Sequence, residues 1–158
     1  MKTNIAKTIQ SGSVLLEALI AILLFSMGML ALAGVQAAAI RNASEAKYRA
    51  EASFLANQII AQMWGENPAN LASYQHNPGT GAPCNFSGGA SGNPNVVAWL
   101  GAASNPAPGT VAGNLPGAPS TRQQIVIAAG NVVTVTICWE PPTDPLPRSF
   151  VSVAQING

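Results

Sequence analysis

The longest apolar run in the chain extends from Gly12 to Ile40, GSVLLEALIAILLFSMGMLALAGVQAAAI, and beyond Glu17 it carries no charge. As a helix rising about 1.5 Å per residue, residues 18–40 are roughly 35 Å long, enough to cross a hydrocarbon core of about 30 Å. The helical pattern then continues, since residues 37–64 lack proline and glycine and are rich in alanine. Tyr48, Leu55, Ile59 and Met63 recur at spacings of seven, four and four, an apolar stripe on one side. Arg41, Glu45 and Arg49 are four apart, as are Lys47 and Glu51, and such pairs support a solvated helical face. Gly65 and then Asn67-Pro68 signal a stop. One helix is therefore predicted from Ser13 to Trp64, roughly 78 Å long at the same rise.

Beyond it the pattern breaks. Residues 65–121 hold ten glycines and eight prolines, with Glu66 the only charged side chain. That composition predicts a long, mostly irregular connection, packed at a few points through Tyr74, Phe86 and Trp99 and pinned at Cys84. A short helix fits around residues 95–102, and His76, the one histidine, is expected to be solvated in its loop. Residues 124–128 and 132–139, separated by Ala129-Gly130-Asn131, read as a β-hairpin. In the second strand Val133, Val135, Ile137 and Trp139 share one face, to pack on the amphipathic half of the helix; Thr134, Thr136 and Cys138 share the other. Prolines from Pro141 to Pro147 end that strand, and residues 150–156 are a third candidate. The fold class is α+β: a long N-terminal helix packed on a small antiparallel sheet of three or four strands over residues 122–156.

Charge refines this picture. Seven Lys plus Arg against six Asp plus Glu offer no basic surface for nucleic acid, which needs clustered cations. Lys2 and Lys7 precede the apolar run and favour keeping the N-terminus inside, so the remainder is expected on the non-cytoplasmic face; Arg41, Lys47 and Arg49 weigh the other way. Cys84 and Cys138 are the only cysteines. In an oxidising compartment they are expected to pair, with two buried free thiols as the alternative.

Glu17 is the residue that needs a reason. A carboxylate at the centre of a membrane helix costs on the order of 2.5–3.5 kcal/mol, less towards an end. Neither Lys7 nor Arg41 is close enough in sequence to pair with it. A cut between Gly12 and Ser13, however, creates an α-amino group four residues before Glu17, and the amine and carboxylate of packed copies then neutralise each other. Gly12 followed by Ser13-Val14-Leu15-Leu16-Glu17 resembles the processing site of type IV pilins, and residues 17–36 resemble the PilV group of minor pilins. Ser13 departs from the phenylalanine usual in major pilins. The resemblance implies cleavage after Gly12 and methylation of Ser13 by prepilin peptidase, with Glu17 acting in assembly.

On this reading residues 1–12 are a basic leader and 13–40 the membrane and filament-core half of the helix. Residues 41–64 are its amphipathic half, and 65–158 the globular part. The resemblance implies a structural minor pilin, held in the bacterial inner membrane with its globular part periplasmic and then moved into a pilus. Its implied partners are other minor and major pilins, prepilin peptidase and a large tip adhesin, and its implied roles are pilus initiation, twitching motility and adhesion. A minor pseudopilin of type II secretion shares the processing site. Other readings are a plain uncleaved anchor, or a binding module released by signal peptidase after Ala31-Leu32-Ala33. Catalytic, metal-ligand and phosphate-loop patterns are not discernible, so no enzyme activity and no cofactor are expected. The sequons Asn42-Ala43-Ser44 and Asn85-Phe86-Ser87 are too short to carry a role.

Overall fold

The structure is a computed structural model that describes residues 11–142, 144 and 146–156. Helix α1 runs unbroken over Ser11–Trp64, as the absence of proline and the alanine content dictate. The leader residues 1–10, with Lys2 and Lys7, lie outside the described residues. The chain divides into two units, the first ending at Asn42 and the second beginning at Ala43. In the first unit every side chain described is exposed, the apolar run included.

In the second unit, α1 contributes one face to the core. Leu55, Ile59 and Met63 are buried and Tyr48 packs partly against them, as the stripe predicts. Ala52, Ala56 and Ile60 complete that face, filling the helical positions between the larger residues. The opposite face is solvated as the charge spacing predicts, with Lys47, Arg49, Asn57 and Gln62 exposed, but apolar side chains are interspersed among them. Ala43, Ala46, Ala50 and Ala61 are exposed there, with Phe54 60% and Trp64 51% exposed. Two acids on α1 have partners far along the chain. Glu45 pairs with Arg148 at 3.2 Å, and Glu51 accepts from Asn114 Nδ2 at 3.0 Å. The local four-residue pairings predicted for them are replaced by contacts within the tertiary fold.

Strands β1 (Gln124–Ala128), β2 (Val132–Trp139) and β3 (Arg148–Gln155) form an antiparallel sheet in the order β1-β2-β3. The hairpin turn uses Gly130 and Asn131 in the left-handed region, φ 75° and 56°, which these two residue types tolerate best. Val133, Val135, Ile137 and Trp139 are all in the core, so the period-two pattern correctly identifies the face turned to the helix. Phe150 and Ala154 join them from β3. The long helix packed on a three-stranded antiparallel sheet is an α+β, pilin-like arrangement.

The Gly/Pro-rich segment is more structured than its composition predicts. It holds a 3₁₀ turn over Pro68–Tyr74, helices α2 (Pro94–Leu100) and α3 (Val111–Asn114), and a second 3₁₀ turn over Ser120–Arg122. Two Asn-Pro pairs start two of these elements. Asn67 Oδ1 accepts from the Ala69 N–H at 3.0 Å and Asn93 Oδ1 from the Asn95 N–H at 2.9 Å, each with proline at the first helical position. Asn67-Pro68 thus begins a turn as well as ending α1. Leu71, Tyr74, Val96, Trp99, Leu100, Val111 and Leu115 all enter the core. The Trp99 indole N–H donates to the Leu55 carbonyl at 2.9 Å, anchoring α2 to α1. Gly101 ends α2 at φ 72°, where a Cβ would run into the Thr110 side chain.

Candidate functional site

Two groups of residues carry the predicted chemistry, and each is described within its own unit. The first lies at the start of α1. Gly12, Ser13 and Glu17 are successive parts of one helix, with Ser13 and Glu17 one turn apart, about 6 Å along the axis. All three are exposed, and Val14, Leu15 and Leu16 between them are exposed apolar side chains. Among the described residues Glu17 has no ion pair and no side-chain hydrogen-bond partner. A Cβ added to Gly12 would meet nothing within 4 Å among the described residues, none of which requires glycine there. Further along, Ser26 returns its hydroxyl to the Ile22 carbonyl at 2.6 Å and lies 3.0 Å from that of Leu23. This local bond satisfies the only hydroxyl between Val14 and Ile40 and suits it to apolar surroundings.

The α1 helix is long and apolar enough to cross a membrane. It passes through Ala31-Leu32-Ala33 without interruption. Arg41, Lys47 and Arg49 all lie on α1 at or after the end of the charge-free run.

The second group is the tethered end of the sheet. Cys84 and Cys138 form a disulfide across a sequence separation of 54. Cys138 lies on the β2 face turned away from the helix, as the strand alternation predicts, and Cys84 belongs to the irregular segment that covers it. Cys84 holds a left-handed backbone, φ 63°, unusual outside glycine and asparagine. Beside it Gln123 does work that sequence reading missed. Its side chain donates from Nε2 to the Cys138 carbonyl and accepts at Oε1 from the Cys138 N–H, both at 3.0 Å. The amide thereby takes the part of a neighbouring strand where the main chain has already turned away. Nε2 also donates to the Pro119 carbonyl at 3.2 Å.

His76 is buried rather than solvated. Its main chain exchanges two hydrogen bonds with Ile125, at 3.0 and 2.9 Å, which closes part of the outer edge of β1. Nδ1 accepts from the Ser91 N–H at 3.1 Å, so the ring proton is on Nε2, donated to the Ser120 carbonyl at 2.8 Å. Both ring nitrogens are thus used in holding three loop segments together. Asn77 assists by donating from Nδ2 to the carbonyls of Ser120 and Gln123, each at 3.1 Å.

A carboxylate network closes the end of α1. Glu66 accepts from the Asn67 N–H at 3.2 Å, from Asn70 Nδ2 at 3.0 Å and from the Tyr74 hydroxyl at 3.4 Å. The Asn70 amide, then the Asn67 N–H, hold its carboxyl below the usual carboxylate range, with a smaller contribution from Tyr74. The Tyr74 oxygen in turn accepts from Asn95 Nδ2 at 2.7 Å, linking this network to α2. Among the described residues no three His, Cys, Asp or Glu side chains gather in one place. Comparison of the chain with protein-family models, with curated proteins and with solved structures finds no match.

Proposed function

We propose that this chain is a structural, non-enzymatic minor pilin of a type IV pilus. Prepilin peptidase cuts it between Gly12 and Ser13 and methylates the new amine. Before assembly α1 holds it in the inner membrane with the globular part in the periplasm. On assembly the apolar run moves from lipid into a bundle of like helices from other minor and major pilins. There Glu17 meets the N-terminal amine of a neighbour. In this role it supports pilus initiation, and through it twitching motility and adhesion, in company with a large tip adhesin.

The observation that carries this reading is Glu17, without a partner among the described residues, one turn beyond Ser13 on a helix whose side chains from Val14 to Val35 are exposed and almost all apolar. Lipid alone covers such a helix but leaves its acid without a partner. A neighbouring helix of the same kind, with its own free chain end, supplies both.

Mass spectrometry of the isolated mature protein tests the cut: the expected product begins at a methylated Ser13. A product beginning at Gly34 means signal-peptidase release and removes the pilin reading. Glu17→Ala tests the pairing. Membrane insertion is expected to be normal, while recovery of the subunit in sheared pili falls by about tenfold or more, the loss that follows from about 1.4 kcal/mol or more of pairing. Unchanged piliation would count against pairing.

A further inference from the structure

The two edges of the sheet are treated differently. The β1 edge is occupied by the His76 backbone, and the Gln75 amide reaches the Ile127 carbonyl at 3.4 Å. The β3 edge, eight residues long, receives no main-chain hydrogen bond beyond those of β2 among the described residues. It has no proline, lysine or acid, the residues that commonly guard an edge, and its only charge is Arg148 at one end. On its outer face Val151 is 53% and Val153 62% exposed. An open edge of this kind takes another strand.

We propose that β3 pairs with the β3 strand of a second copy of this chain, antiparallel about a two-fold axis through Ser152. The register selects this occupant. With Ser152 facing its own mate, Val151 faces Val153 of the other copy on the outer face, and Phe150 faces Ala154 on the core face. Ser149 faces Gln155, and Arg148 faces Ile156, so no like charges meet. Apolar residues oppose apolar ones and polar oppose polar over Ser149–Gln155 on both faces. Moving the centre to Val151 places Val153 against Ser149 and Phe150 against Ser152. Centring on Val153 places Val151 against Gln155. Only the Ser152 centre keeps both faces matched. The inference rests on the sheet edge alone and does not depend on the filament reading.

The test is disulfide trapping in the full-length chain in detergent micelles, read on non-reducing gels after mild oxidation. Opposed residues in an antiparallel pair lie about 4.5–5.5 Å apart, within the span of a disulfide. Ser152→Cys is expected to cross-link to itself. Val151→Cys and Val153→Cys chains are expected to cross-link when mixed and far less when each is alone. Ala128→Cys, exposed at the end of β1, reports chance encounter within a micelle. Adding Val153→Lys to Ser152→Cys puts a cation into the pairing edge at an exposed position and should lower trapping by about tenfold. Three results would each overturn the proposal: Ser152→Cys trapping no better than Ala128→Cys, Val151→Cys trapping alone as well as in the mixture, or trapping undiminished by Val153→Lys.

Discussion

At the scale of single residues, the side chains that organise the second unit are mostly uncharged amides bonded to main chain. Gln123 is the clearest. Its removal leaves the N–H and the carbonyl of Cys138 buried without their partner, at roughly 1–3 kcal/mol for each orphaned group. Gln123→Ala is therefore expected to lower unfolding free energy by about 3 kcal/mol in urea titrations. Glu66 makes a prediction in pH. Its folded-state pKa is depressed, so its contribution is present above the unfolded carboxylate value of about 4.3 and is lost as pH falls through the folded value. Glu66→Gln should leave a shallower acid-side decline in urea midpoint than the parent chain; parallel declines would refute this. His76 shows why such roles escape a reading by composition. Its ring partners, Ser91 and Ser120, are 15 and 44 residues away, and nothing local marks the site as interior.

At the scale of elements, periodic segments are readable, and of the punctuated stretch only α2 is. The second half of α1 and the hairpin emerge from spacing because each buries a face of regular period, and the first half of α1 from its unbroken apolar run. Ala52 and Ala56 were absent from the predicted stripe, since a small residue leaves no clear apolar signal. Yet these two positions set how closely α1 can be approached from the core side. Ala56→Leu is expected to destabilise by about 1–3 kcal/mol through overpacking, whereas the same change at exposed Ala61 should be nearly neutral. Thermal unfolding of the pair distinguishes them. In residues 65–121 the helix expected around residues 95–102 forms as α2, Pro94–Leu100, whereas α3 and the two 3₁₀ turns are concealed because glycine, proline and asparagine also cap and start short elements, as at Asn67-Pro68. Trp99 reaches the core from α2 as the anchor the sequence marks, and Val96 and Leu100 join it from a helix too short for its period to single them out.

At the scale of the molecule, the Cys84–Cys138 pair was readable as a disulfide from cysteine count and inferred compartment. The glutamine that braces it was not, because its partner is main chain and carries no residue signature. Closing a loop of 54 residues stabilises by about 4 kcal/mol in the chain-entropy model. Replacing both cysteines by serine is expected to cost about that much, measured against the oxidised parent in urea. The bond also divides the polypeptide mechanically. If a single molecule is gripped on α1 and at its C-terminus and pulled until it unravels, the stretch between the two sulfurs stays looped out of the line of force. The measured contour is then shorter by roughly 180 Å, at about 3.4 Å for each residue withheld. A reductant added to the same tether should return that length in one step.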